Sequence, residues 1–262
     1  MRPDSDLLVG IDAAVIASVS AAICLAADHP VFMTLFVPCA ILCRMLALAM
    51  VAEKEGVSMA SEILFLGICT AIGAYNDWNS VCNKRVYLYC VPHCVESNSI
   101  PVWMLVYWGM ILRFIARLAR WRALAPDRDV SNMVGIDGLR VESPVAKVIA
   151  ELSIVAATRQ AIYRYYLDPV LSWLPFLLGL LLFLLLFRPS RHDLKLLGLS
   201  LVGGPAVEIL YIRLGHLHRY HLGWVWGVPV WIVFWWLLAV LIWKDLASRI
   251  ETGLLRVFMR RG

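Results

Sequence analysis

Apolar residues fall in blocks of about 20, parted by short polar or Pro- and Gly-marked breaks, and that spacing matches the hydrocarbon thickness of a bilayer. The pattern predicts membrane-crossing helices near 8–27, 31–50, 58–77 and 100–118. A polar stretch from Arg120 to Ser143 follows, and then further spans near 144–166, 169–187, 193–213 and 227–243. The run from Leu171 to Phe187 nearly crosses a hydrocarbon layer unaided. The fifth block is interrupted by Lys147, Glu151, Arg159 and Arg164. It reads either as a span packed inside the bundle or as an amphipathic helix on the membrane surface. The first reading keeps the two halves of the chain in the same orientation and is the one adopted.

The second half repeats the first. Glu62-Ile63, Leu66-Gly67, Gly73 and Asp77 align without a gap on Asp193-Leu194, Leu197-Gly198, Gly204 and Glu208, an offset of 131 residues. Tyr89 falls on Tyr220 at the same offset. Three residues out of step, Pro101-Val102-Trp103 with Tyr107-Trp108 matches Pro229-Val230-Trp231 with Trp235-Trp236. The expected fold is therefore all-α: a polytopic membrane helical bundle of about eight transmembrane helices, built as two tandem four-helix repeats. Residues 1–119 form the first repeat, 120–143 a cytoplasmic polar connector and 144–262 the second repeat. Such repeats commonly build one site at their seam.

Composition agrees, with 61% hydrophobic residues, 16% charged residues and a mean hydropathy of +0.75. The net charge of +5 then reads as a topology signal and an anionic-lipid collar, not as a nucleic-acid surface. With eight spans, Lys54, Arg120, Arg122, Arg188, Arg191, Lys195, Lys244 and Arg249 fall on one side, and few bases on the other. The positive-inside rule makes the rich side cytoplasmic, with both termini inside and a bacterial inner membrane as the expected location. The chain opens without a basic start, apolar stretch and small-residue cleavage site, so the first helix is expected to act as its own insertion signal.

Candidate chemistry gathers toward the outer leaflet. Asp77 and Glu208 end the third and seventh helices, where a carboxylate is costly and a raised affinity for protons is expected. If the halves face each other, the two could serve as proton donor and acceptor. The alternative is structural pairing, Glu208 with Arg213 and Asp77 with Lys84 or Arg85. Glu62 and Asp193 read as helix starts, where acids suit the dipole. His216, His218 and His221 with Glu208 are weak candidates for a metal, so neither a metal nor a cofactor is expected. Cys82, Cys90 and Cys94, beside His93, suggest a disulfide in an oxidising exterior loop or nothing at all. Trp103, Trp108, Trp231, Trp235 and Trp236, with Tyr89 and Tyr220, could line a cavity and hold a polyene or a carbocation against their ring faces. They could equally be an interfacial belt with core packing.

The series Glu208…Tyr220…Pro229-Val230-Trp231…Trp236, with its partner Asp77…Tyr89…Pro101-Val102-Trp103…Trp108, resembles integral-membrane carotenoid enzymes, the small-subunit lycopene cyclases and carotenoid hydratases. The resemblance covers about a hundred residues of motif, and the paired acids followed by aromatics expected of the cyclases are not found. It implies acid–base chemistry on an isoprenoid double bond by membrane carboxyls, without a redox cofactor. The leading expectation is thus a cyclase- or hydratase-type lyase or isomerase acting on a lipophilic substrate in an outer-leaflet cavity. A non-catalytic subunit of a larger membrane complex, docking protein partners, is the second reading. A small transporter with parallel repeats is the third.

Overall fold

A computed structural model describes residues 4–92, 100–124, 143–187 and 189–259. The fold is all-helical, 77% helix in eight α-helices. In chain order they are α1 (Asp6–Ala26), α2 (Pro30–Glu55), α3 (Met59–Trp78), α4 (Val102–Leu118), α5 (Pro144–Tyr165), α6 (Leu174–Phe187), α7 (Arg191–Arg213) and α8 (Val230–Met259). Among the described residues, α1, α2, α7, α8 and α3 with its π-helical extension Asn79–Asn83 are long and apolar enough to cross a membrane. This is an integral membrane protein. The helices α4 (17 residues) and α6 (14 residues) are shorter, and α5 carries the charges noted above.

The breaks between blocks are well-made helix ends. The side chains of Ser5, Ser58, Ser143 and Ser190 each accept a backbone N–H from the first turn they precede. Ser190 and Asp193 satisfy each other's backbone as a capping box. Gly56 closes α2 at φ 67°, a conformation that costs a residue with a Cβ. In the α5–α6 connection, Asp168 accepts from the N–H groups of Val170 and Leu171 at 2.8 and 2.7 Å, which holds its carboxyl below the usual carboxylate range.

The helices α3 and α4 pack tightly along each other, as do α7 and α8. In the same way α1 lies against α2 and α4, α6 against α5 and α8, and α8 also meets α3 and α4. Small residues permit the closest approaches. A Cβ on Gly73 would lie 2.7 Å from Trp108 Cβ, and one on Gly204 would lie 2.5 Å from the Trp236 ring. A Cβ on Gly109 would meet the Thr70 backbone at 2.8 Å. Outward-facing Leu25, Val31, Leu35, Leu42, Leu46 and Met50 present apolar surface to lipid.

One end of the bundle is ionic. Four arginines (Arg44, Arg113, Arg117, Arg120) interlock with four carboxylates (Asp4, Asp12, Glu62, Glu251). Glu62 lies at the centre, 2.5 Å from Arg44 on α2 and 2.7 and 3.2 Å from Arg113 and Arg117 on α4. Its reading as a mere helix start is corrected here: the dipole is a minor neighbour beside three guanidinium groups. Its repeat partner Asp193 does act as a cap and also pairs with Lys244.

At the other end two short strands, β1 (Tyr87–Tyr89) and β2 (His218–Tyr220), pair antiparallel. The alternation of apolar blocks gave no sign of them, because three residues are too few to set a period. The last helix continues to Met259 instead of stopping near 243, because Lys244, Asp245 and Glu251 all find partners within the bundle. The connector residues 125–142 lie outside the described residues. Before them, Arg120 and Arg122 bind Asp4 and Asp6, and Asp4 forms a parallel bridge with Trp121.

Glu62→Gln is expected to destabilise the protein by about 3–5 kcal/mol, because it leaves three buried cations without their shared anion. Gly109→Ala is expected to cost about 1–3 kcal/mol through overpacking. Gly67→Ala, whose Cβ would meet nothing within 4 Å, is expected to be harmless. Thermal unfolding of the three variants in one detergent checks all of this, and equal midpoints for Gly109→Ala and Gly67→Ala would refute the packing.

Candidate functional site

The strand end holds two buried carboxyl groups in matching surroundings. Asp77, at the end of α3, is fully enclosed. The hydroxyl of Tyr89 donates to it at 2.9 Å, and Tyr87 donates to its other oxygen. Glu208, near the end of α7, is also buried; it accepts from the Tyr220 hydroxyl at 3.0 Å and meets His218 Nε2 at 2.9 Å. At the 131-residue offset, Tyr87 corresponds to His218 and Tyr89 to Tyr220. The strand register pairs Tyr87 with Tyr220, Leu88 with Arg219 and Tyr89 with His218. The donors of the two acids are therefore interleaved, with the Tyr87 ring 5.4 Å from Tyr220 and 5.8 Å from His218. Each strand is entered through a residue with positive φ, Arg85 at 55° and His216 at 45°, again 131 residues apart.

Burial, and after it the neighbouring carboxylate, pushes the hydroxyls of Tyr87, Tyr89 and Tyr220 well above the usual phenol range. They remain protonated donors at any physiological pH. Neither acid takes the basic partner considered from sequence. Arg213 donates to the Trp226 carbonyl at 3.1 Å, and Lys84 lies over the Tyr163 ring. Short side chains near a helix end found the nearer strand hydroxyls first.

A cavity of about 340 Å³ opens beneath Glu208, within the range of small-molecule sites. Its polar end is formed by Glu208, His218, Tyr87, Tyr89 and Tyr220, with Tyr107 and Tyr211 one turn deeper. Tyr107 and Tyr211 hydroxyls meet at 3.0 Å, and Ser20 on α1 joins Tyr211 at 2.7 Å. Below them the wall is apolar, formed by Trp108, Ile111, Phe114, Ile115 and Leu118 from α4, Leu196 and Leu199 from α7, and Trp236 from α8.

No known protein family, no curated protein and no solved structure matches the chain. The site is therefore read from its geometry alone.

The structure brings Glu208, Tyr89, Tyr220, Trp108 and Trp236 together on the cavity wall. Asp77 lies behind Tyr87 and Tyr89 and touches the cavity only through them. Trp103, Trp231 and Trp235 do not line it. Trp103 is buried, Trp231 stacks on Phe176 at 5.9 Å, and Trp235 packs edge-on to Trp236 at 5.0 Å. The helical spacing of these rings was read correctly, but the helices turn them into the core. The three histidines diverge: His218 faces Glu208, while His221 Nε2 meets the Arg85 carbonyl at 2.9 Å. Among the described residues no three His, Cys, Asp or Glu side chains gather as metal ligands. Cys94 and His93 lie outside the described residues, so the loop cysteines stay as they were read. Sequence reasoning missed Tyr87, Tyr107, Tyr211 and Ser20. The first of these was legible as the 131-offset partner of His218.

His216→Gly is expected to leave stability unchanged or slightly raised, by up to about 1 kcal/mol, since glycine relieves the left-handed backbone. A large loss of stability, or of bound metal, would show that the His216 side chain is needed.

Proposed function

We propose that this protein is an integral membrane enzyme performing acid–base chemistry on a lipophilic, isoprenoid-type substrate in the cavity beneath Glu208. The observation that carries the reading is a buried carboxyl group in an apolar cavity wall, hydrogen-bonded by an imidazole and a phenol and by no lysine or arginine among the described residues. A carboxyl group so placed holds a proton readily and is renewed by its histidine. Protonated Glu208 adds its proton to a carbon–carbon double bond, leaving a carbocation against the ring faces of Trp108 and Trp236. The cation closes by losing a proton to the Tyr87 hydroxyl, which passes its own to Asp77, or it takes up water. The first route is a cyclisation or isomerisation, the second a hydration. Asp77 is then the acceptor acting through its tyrosines. The chemistry is that of the carotenoid cyclases and hydratases the motif series resembles.

The same proposal includes two related four-helix halves with eight spans, the ionic end and both termini in the cytoplasm, and the strand pair outside. The recurrence at one offset of the acid, the strand, its left-handed entry and the Gly–Trp contact supports the duplication. The crowd of arginines at the opposite end supports the orientation. A second reading, a scaffold that docks membrane partners, draws on Trp224, Val225 and Trp226, which are 60%, 60% and 61% exposed on the loop after β2. The transporter reading loses its one candidate break, since α7 runs unbroken through Gly203-Gly204-Pro205.

Native mass spectrometry of protein taken from its own membranes in mild detergent is expected to release a stoichiometric isoprenoid. Glu208→Gln is expected to abolish its turnover while leaving the unfolding midpoint in place. Unchanged product from a Glu208→Gln/Asp77→Asn double variant, or co-purifying proteins with ordinary phospholipid alone, would overturn the catalytic reading.

A further inference from the structure

The cavity has a fixed length. Its polar end is set by Glu208 and its far end by Leu118, Leu196 and Trp121. Along α7, Glu208 to Leu196 is twelve residues, a rise of about 18 Å; along α4, Tyr107 to Leu118 gives about 16 Å. The walls between are aromatic and aliphatic, and only Ser200 interrupts them with a polar side chain. This is the shape of one linear hydrocarbon chain lying between the two helices with a small polar head at Glu208.

The far end is held more firmly than a connector requires. Trp121 lies just beyond α4, where a chain would otherwise run out toward the polar region. Its indole N–H donates to the Asp6 carboxylate at 2.8 Å. Its backbone is bridged to the N-terminal segment: Asp4 N–H donates to the Arg120 carbonyl at 2.9 Å, and Arg122 N–H to the Asp4 carbonyl at 3.1 Å. Arg122 also pairs with Asp6. An otherwise mobile connector is thus fastened to the start of α1, with its one tryptophan facing the bottom of the cavity.

Resting on the cavity-enzyme reading above, we infer that Trp121 is a chain-length stop, so that the site selects a single-chain lipid of farnesyl to geranylgeranyl length. A chain of carotenoid length overruns the stop. The hydrocarbon could be prenyl or saturated, and the walls accept both. What the geometry fixes is length.

The test is binding of two series of linear alcohols to the full-length protein in nanodiscs, by competition against one tritiated member. The prenyl series is geraniol, farnesol, geranylgeraniol and solanesol. The saturated series is decanol, hexadecanol and triacontanol. Wild-type affinity is expected to rise to farnesol or geranylgeraniol and to fall at least tenfold for solanesol, with the same dependence on length in whichever series binds. Trp121→Ala is expected to restore the longest chains, and Leu118→Trp to shift the optimum toward geraniol. The second variant keeps the question open to decision if Trp121→Ala does not fold.

Affinity that rises steadily through solanesol, binding in neither series, or an optimum unmoved by both variants would overturn the length stop. Flat dependence on length with intact Glu208-dependent turnover would sink the stop and leave the enzyme standing. Length-selective binding of saturated alcohols alone would uphold the stop and remove the isoprenoid substrate.

Discussion

Hydrocarbon offers a carboxylate no partner, so every acid on these apolar helices must be satisfied from within the protein, and the source of each partner decides how the helices lie. Glu62 draws Arg44 from α2 and Arg113 and Arg117 from α4. Arg117 and Arg44 then reach Asp12 on α1, and Arg113 and Arg120 reach Glu251 on α8. One anion thereby fixes the mutual position of five helices at the ionic end. At the opposite end no arginine serves. Asp77 and Glu208 are satisfied by strand side chains, and three-residue strands would not persist without that anchorage. The small sheet exists because the acids hold it, and the acids are tolerated because the sheet supplies their donors.

The antiparallel register has a further consequence. Because Leu88 faces Arg219, the donors of one acid lie across the ladder from the donors of the other. Tyr87 and Tyr220 are in ring contact while serving different carboxylates, as are Tyr89 and His218. A change of charge on one acid is felt by the aromatic donors of both, in surroundings where screening is weak. The two acids form one polar layer across the bundle, with the cavity opening from one side of it.

Much of this was legible in the sequence. Eight helices appear close to where blocks of apolar residues lie, since length and capping chemistry are local. The acids at 77 and 208 and the tyrosines at 89 and 220 stood out because duplication repeats them. What stayed hidden depends on where side chains point. The spacing of Trp103, Trp231 and Trp235 shows a shared face but not whether that face meets a cavity or the core. Glu62 looked like a cap because its arginines lie 18 residues before it and 51 and 55 residues after it. Tyr107, Tyr211 and Ser20 come from three helices, and no window along the chain contains them together.

The most informative difference between the halves is one side chain. At matching positions, Asp77 has Tyr87 where Glu208 has His218. A buried phenol donates its hydrogen bond and keeps its proton at neutral pH, so Asp77 is held in a fixed arrangement and sealed. An imidazole changes protonation near neutrality and can both give and take. Glu208 is also one methylene longer, which carries its carboxyl to the cavity wall while Asp77 remains behind two rings. The same backbone therefore yields a closed structural acid in one half and an exposed, exchangeable one in the other. Duplication supplied two equivalent positions, and two substitutions, Asp against Glu and Tyr against His, are enough to separate holding the fold from handling a proton.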